Sequence, residues 1–167
     1  MSDHYSSGQI IESMKKNWPE TYDSTHEFVV YLSRIRDLSF AKARETLARL
    51  GLSISEFDVL ATLRCTTKPH ILAPTELQRS LLITSGGLTK LLYQLEASGL
   101  VSRSVQEKDK RSKLVHLTSK GKRTIEQAME AVQKETNKWL GGSLSVGELD
   151  QVKTLLGKVA QGLEGRS

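Results

Sequence analysis

The sequence predicts a mainly helical protein with one small β-hairpin, an α+β fold, on three observations. Long stretches repeat apolar residues at a 3.6-residue period, the period changes to two after Gly99, and aromatic residues make up only 5% of the 167, with three prolines. With 38% hydrophobic and 26% charged residues, the chain is long enough to bury a core as one compact domain or two small lobes. No apolar run approaches the roughly 20 residues of a membrane span. The polar segment Met1 to Gly8 lacks the basic and apolar blocks of an export signal. A cytoplasmic protein with no membrane partner is expected. A single cysteine, Cys65, excludes an internal disulfide and a multi-thiolate zinc site.

Thr25 to Leu50 carries Phe28, Leu32, Ile35, Leu38, Leu47 and Leu50 at helical spacing, with Gly51 as a stop. Ser53 and Glu56 form a capping box that starts a second helix near Ile54, running to about Cys65. Pro74 suits a first helical position and opens a short helix to Leu81, poorly capped because Ala73 offers no side-chain oxygen. Thr84 or Ser85 caps the next helix, with Leu88, Leu91, Leu92 and Leu95 on one side and Gly99 suited to its left-handed C-terminal position. These two short helices make a helix-turn-helix candidate. Val101 to Val105 and Lys113 to Leu117 then alternate apolar and polar residues as two half-buried strands around the polar tip Gln106 to Ser112. Thr118 caps a long helix carrying Ile125, Met129, Val132 and Leu140, and a Ser145–Glu148 box opens the last, with Leu149, Val152, Leu155, Leu156, Val159 and Leu163.

The charge is concentrated in one place. Val101 to Arg123 holds Arg103, Lys108, Lys110, Arg111, Lys113, Lys120, Lys122 and Arg123 against Glu107 and Asp109, a net +6 where the whole chain has +5. A local positive field in an otherwise balanced chain points to a polyanion such as nucleic acid; a merely solvated charged face is the alternative.

A helix-turn-helix followed directly by a basic hairpin is the winged-helix arrangement, and the sequence resembles the MarR family of bacterial transcription regulators. The resembling blocks are Ser53 to Leu60 (SISEFDVL), Ala73 to Leu77 (APTEL), Gly86 to Leu91 (GGLTKL), Leu95 to Val101 (LEASGLV), Asp109 to Ser112 (DKRS) and Leu117 to Gly121 (LTSKG). They follow the family order over about 70 residues, and the flanking helices are similar in pattern only. The resemblance implies a winged helix-turn-helix DNA-binding lobe over 51–120, with 1–50 and 121–167 supplying the helices of a dimerisation lobe. It implies a homodimer on one palindromic operator in double-stranded DNA, expected to act as a repressor. The apolar faces of the first long helix and of the last exceed what one small lobe needs, which agrees with a second copy; a purely intramolecular bundle is the alternative.

The helix from Thr84 is then the recognition helix. Thr84, Ser85, Gly86, Gly87, Thr89 and Lys90 are its candidate DNA-facing residues, and Thr75 and Arg79 on the preceding helix are candidates for backbone contacts, although Arg79 serves equally as a surface arginine. Two successive glycines cost a helix about 1 kcal/mol each relative to Ala, which makes sense where side chains would collide with a duplex. In the family the wing's Asp-x-Arg motif acts as a unit, the aspartate fixing an arginine that enters the minor groove; Asp109 and Arg111 match it. Lys108, Lys110 and Lys113 would neutralise phosphates.

Family members commonly respond to a small aromatic or phenolic effector, or to cysteine oxidation, in the cleft between the lobes. A urate-responsive branch has an N-terminal tryptophan, an aspartate in the second helix, and arginines in the recognition helix and first wing strand. Trp18, Asp58 and Arg103 match, whereas Leu91 stands at the recognition-helix position and removes one charge partner for an anion. Trp18, Tyr22, His26, Asp58 and Arg103 are thus candidate effector residues, with packing or surface roles as the alternative, and for Asp58 a favourable early-helix acid. Cys65 is expected to be a buried structural cysteine, and His4, His26, His70 and His116 form no short-spaced metal motif, so no cofactor is expected. No Gly-rich phosphate loop, H-E-x-x-H or G-x-S-x-G is present, which argues against an enzyme. The competing function is a winged helix used for protein contacts or nonspecific DNA packaging, without effector response.

Overall fold

The structure, a computed structural model, describes residues 5–81, 84–106 and 109–165, with 105, 106 and 109–113 described by backbone alone. The chain divides after Glu45 into two compact units. In the first, α1 (Ser7–Asn17) opens on a capping box: the Ser6 hydroxyl accepts from the Gln9 N–H at 3.2 Å, and Gln9 Oε1 accepts from the Ser6 N–H at 2.8 Å. This helix is absent from the order of elements predicted above. A 3-10 turn at Pro19–Thr21 leads to α2 (Ser24–Ala48). Asp23 caps α2 by accepting from the His26 N–H at 3.0 Å, the main cause holding its carboxyl below the ordinary range. Phe28, Leu32, Ile35 and Leu38 along α2 are exposed.

The second unit begins with the last turn of α2, where Leu47 is fully buried. The Ser53–Glu56 box opens α3 (Ile54–Arg64) as predicted. Cys65, its C-cap, is exposed and not the buried cysteine expected. Leu63 is fully buried, and at about 100° per residue two further positions rotate the chain to the opposite side of the helix. A two-residue strand, β1 (Ile71–Leu72), also unpredicted, precedes α4 (Pro74–Ser80). Ala73 has no capping oxygen, but Glu76 supplies half of a box by accepting from the Ala73 N–H at 3.1 Å. The Thr84 hydroxyl accepts from the Gly87 N–H at 3.3 Å to start α5 (Ser85–Ala97), and Gly99 follows with φ at +69°.

The chain then forms the hairpin β2 (Val101–Gln106) and β3 (Asp109–Leu117), antiparallel with Arg103 opposite Val115 and a register irregularity at Val105 and Gln106. β1 adds antiparallel to the outer side of β3, giving the order β1-β3-β2. Thr118 caps α6 (Ser119–Gly141): its oxygen accepts from the Gly121 N–H at 2.9 Å while its hydroxyl donates to the Gly99 carbonyl at 2.8 Å. α6 crosses the turn after α5 so closely that a Cβ on Gly121 would lie 2.0 Å from the Leu100 carbonyl oxygen, so only glycine fits there. Leu60, Leu63, Leu77, Leu95, Val115 and Ile125 form the centre of the core, joining α3 to α6 and the sheet as a winged helix-turn-helix. The predicted Ser145–Glu148 box opens α7 (Val146–Glu164), which buries none of its residues.

Candidate nucleic-acid interface

α5 presents two faces of opposite character. Leu88, Leu91, Leu92 and Leu95 are all at most 7% exposed and fix the helix to the core. Thr84, Ser85, Gly86, Gly87, Thr89 and Lys90 are all exposed. The Thr89 hydroxyl donates to the Ser85 carbonyl at 3.0 Å, which leaves its oxygen lone pairs as acceptors. A Cβ on Gly86 would meet nothing within 4 Å, so the glycine leaves open space on the outer surface and answers no demand of internal packing. Gly86, Thr89, Lys90 and Tyr93 follow i, i+3, i+4, i+7 spacing and share one helix face. Tyr93, 56% exposed, is a member of this face that the sequence analysis left out, although the spacing itself could have found it. Thr75 and Arg79 are exposed in the first and last turns of α4. A small cleft of about 190 Å³ opens between α4, α5 and β2, where Thr75, Ser85, Thr89, Tyr93 and Arg103 meet.

The basic stretch divides. Lys108 and the side chains of Asp109, Lys110, Arg111 and Lys113 lie outside the described residues, so the Asp109–Arg111 pairing does too. The Lys120 ammonium donates to the Ser98 carbonyl at 2.8 Å. Lys122 lies 3.9 Å from Glu126, which also accepts from Arg64 at 2.8 Å. Lys120 therefore ties the start of α6 to the end of α5, while the Lys122–Glu126 pair lies within α6 itself.

The candidate effector residues fall in both units. Trp18 is 62% exposed. Tyr22 carries Lys15 over its ring at 4.8 Å, and His26 Nδ1 lies 3.0 Å from Asp23. Asp58, on α3, retains solvent contact, yet the protein around it desolvates the carboxyl enough to push its pKa up. Arg103, on β2, is engaged within its own lobe. Its side chain is 17% exposed, its Nε donates to Glu96 Oε2 at 2.8 Å, and its Nη2 donates to the same oxygen. The guanidinium carbon lies 4.2 Å from the centroid of the Tyr93 ring, a cation–π contact. The Glu96 hydrogen bonds are the main cause raising the Arg103 pKa above its ordinary value.

Residues 52–113 match the family model described as MarR family. The HTH-type transcriptional regulator PecS of Dickeya dadantii is 29% identical over 154 residues, 92% of this chain and 92% of its own. The multiple antibiotic resistance protein MarR of Escherichia coli is 33% identical over 115 residues, 69% of this chain and 78% of its own. A crystal structure of an E. coli MarR variant complexed with operator DNA superposes with a TM-score of 0.68 at 28% identity, covering 83% of this chain and 99% of that one.

Proposed function

The chain belongs to the MarR family of transcriptional regulators, and from that premise we propose that it is a repressor that binds a palindromic operator as a homodimer and releases it on meeting a small aromatic or phenolic effector. The observation that carries this proposal is the division of α5: buried leucines on one side, and on the other an exposed strip of hydroxyls, glycines and Lys90. Such a strip admits close approach to a major groove and offers donors and acceptors to base edges. Thr75 and Arg79 add backbone contacts, and Arg111, set by Asp109, enters the minor groove with Lys108, Lys110 and Lys113 on phosphates. The exposed apolar faces of α2 and α7 support a dimer lobe built from 1–50 and 121–167 around the DNA-binding lobe 51–120. Trp18, Tyr22, His26, Asp58 and Arg103 remain the effector candidates; of these five, Arg103 lines the small hydroxyl-bearing cleft between α4, α5 and β2.

If each protomer neutralises roughly four phosphates, the log-log dependence of affinity on salt has a slope of about −7 for the dimer. Titration of a duplex selected from a random pool, at rising salt, measures it. Arg111→Ala is expected to lower affinity and flatten the slope; a salt-insensitive complex, or Arg111→Ala without effect, contradicts the proposal.

A further inference from the structure

The inward positions of β2 alternate along the strand. Val101 is 2% exposed and belongs to the core, whereas Arg103, the next inward position, places a guanidinium where an apolar side chain would continue the packing. A partly buried cation there is favoured by a fixed partner. Among the described residues it has two, both from α5: the Glu96 carboxylate, which takes both hydrogen bonds, and the Tyr93 ring beneath it. Tyr93 in turn belongs to the exposed strip of Gly86, Thr89 and Lys90. One arginine therefore ties the first strand of the wing to the helix that carries the candidate base-reading face.

We propose that Glu96 is a positioning residue for operator recognition: by holding Arg103 it fixes both the Tyr93 ring and the angle at which the wing leaves the recognition helix. The leverage is geometric. From Arg103 to Gln106 the strand advances roughly 10 Å at about 3.3 Å per residue, so a tilt of about 10° at Arg103 displaces the strand end by roughly 2 Å, a large error for a hydrogen-bonding site that needs about 0.5 Å. Arg103 opposite Val115 passes the same constraint to β3. This inference rests on the operator-binding reading above, and it makes an unusual sign prediction. Glu96 is an acid on the DNA-binding lobe, so removing its charge should tighten binding to every DNA if it acts only through the field. As a positioning residue its loss should weaken binding to the operator alone.

The experiment compares full-length wild type, Glu96→Gln, Arg103→Gln and the double variant. The probes are a labelled duplex selected by the wild type from a random pool and a scrambled duplex of equal length and composition, with thermal unfolding as the control on folding. Glu96→Gln is expected to lose about 10-fold or more in affinity for the selected duplex while its affinity for the scrambled one is unchanged or higher. The double variant should bind the selected duplex no worse than the weaker single one, because the pair acts as a unit. Equal or tighter binding of Glu96→Gln to the selected duplex overturns the proposal. So does a parallel loss on both duplexes, and so do losses that multiply in the double variant. A wild type that selects no duplex overturns the operator reading and this inference with it, whereas a preference undiminished in Glu96→Gln overturns the inference alone.

Discussion

α5 and α7 both carry apolar residues at helical spacing and put them to opposite uses. On α5, Leu88, Leu91, Leu92 and Leu95 are 0–7% exposed, while on α7 Leu149, Leu155, Leu156 and Leu163 are 37–69% exposed. The helix whose apolar side is satisfied within its own lobe is free to offer its polar side to another molecule. The helix whose apolar residues stay exposed is assigned, in the proposal above, to a second copy. Amphipathic pattern thus identifies both helices, and only burial distinguishes the one proposed to read DNA from the one proposed to assemble.

Substitutions sharpen this contrast. The largest effect is expected at Leu95, fully buried in the core. Leu95→Ala should cost about 3 kcal/mol and lower the melting temperature by about 10 °C, measured by thermal and denaturant unfolding. On α7 the loss should appear in assembly. Leu155, 60% exposed, is predicted to lie in the dimer interface, so Leu155→Glu should raise the dimer dissociation constant about 100-fold, close to 3 kcal/mol of association free energy, with helix content retained. Sedimentation equilibrium with circular dichroism reads both quantities. Loss of helix content in Leu155→Glu without a change in assembly would make α7 an internal packing helix and break the comparison.

Most of the fold was legible because its determinants are local. The Ser53–Glu56 and Ser145–Glu148 boxes, the Thr118 cap and the change of period at Gly99 all lie within a few residues of the boundaries they set. α1 also had a local signal, the Ser6–Gln9 box, but its apolar positions are sparse and Ile11 alone is buried. β1 was illegible because two residues carry no period, and its existence depends on pairing Ile71 and Leu72 with His116 and Val115. In the candidate interface the outward strip of α5 followed from helical spacing. The Arg103 environment did not, because its partners lie seven and ten residues back across a turn, and no local pattern joins a strand position to a helix side chain. The same distance effect hid Gly121, whose need for glycine comes from the Leu100 carbonyl.

Whether the exposed face of α5 and the wing read a sequence is decided by the ratio of affinities for a selected palindromic duplex and a scrambled one at physiological salt. Operator recognition predicts a ratio of about 10³ or more; a ratio near one would contradict it and favour a winged helix that binds DNA by charge alone.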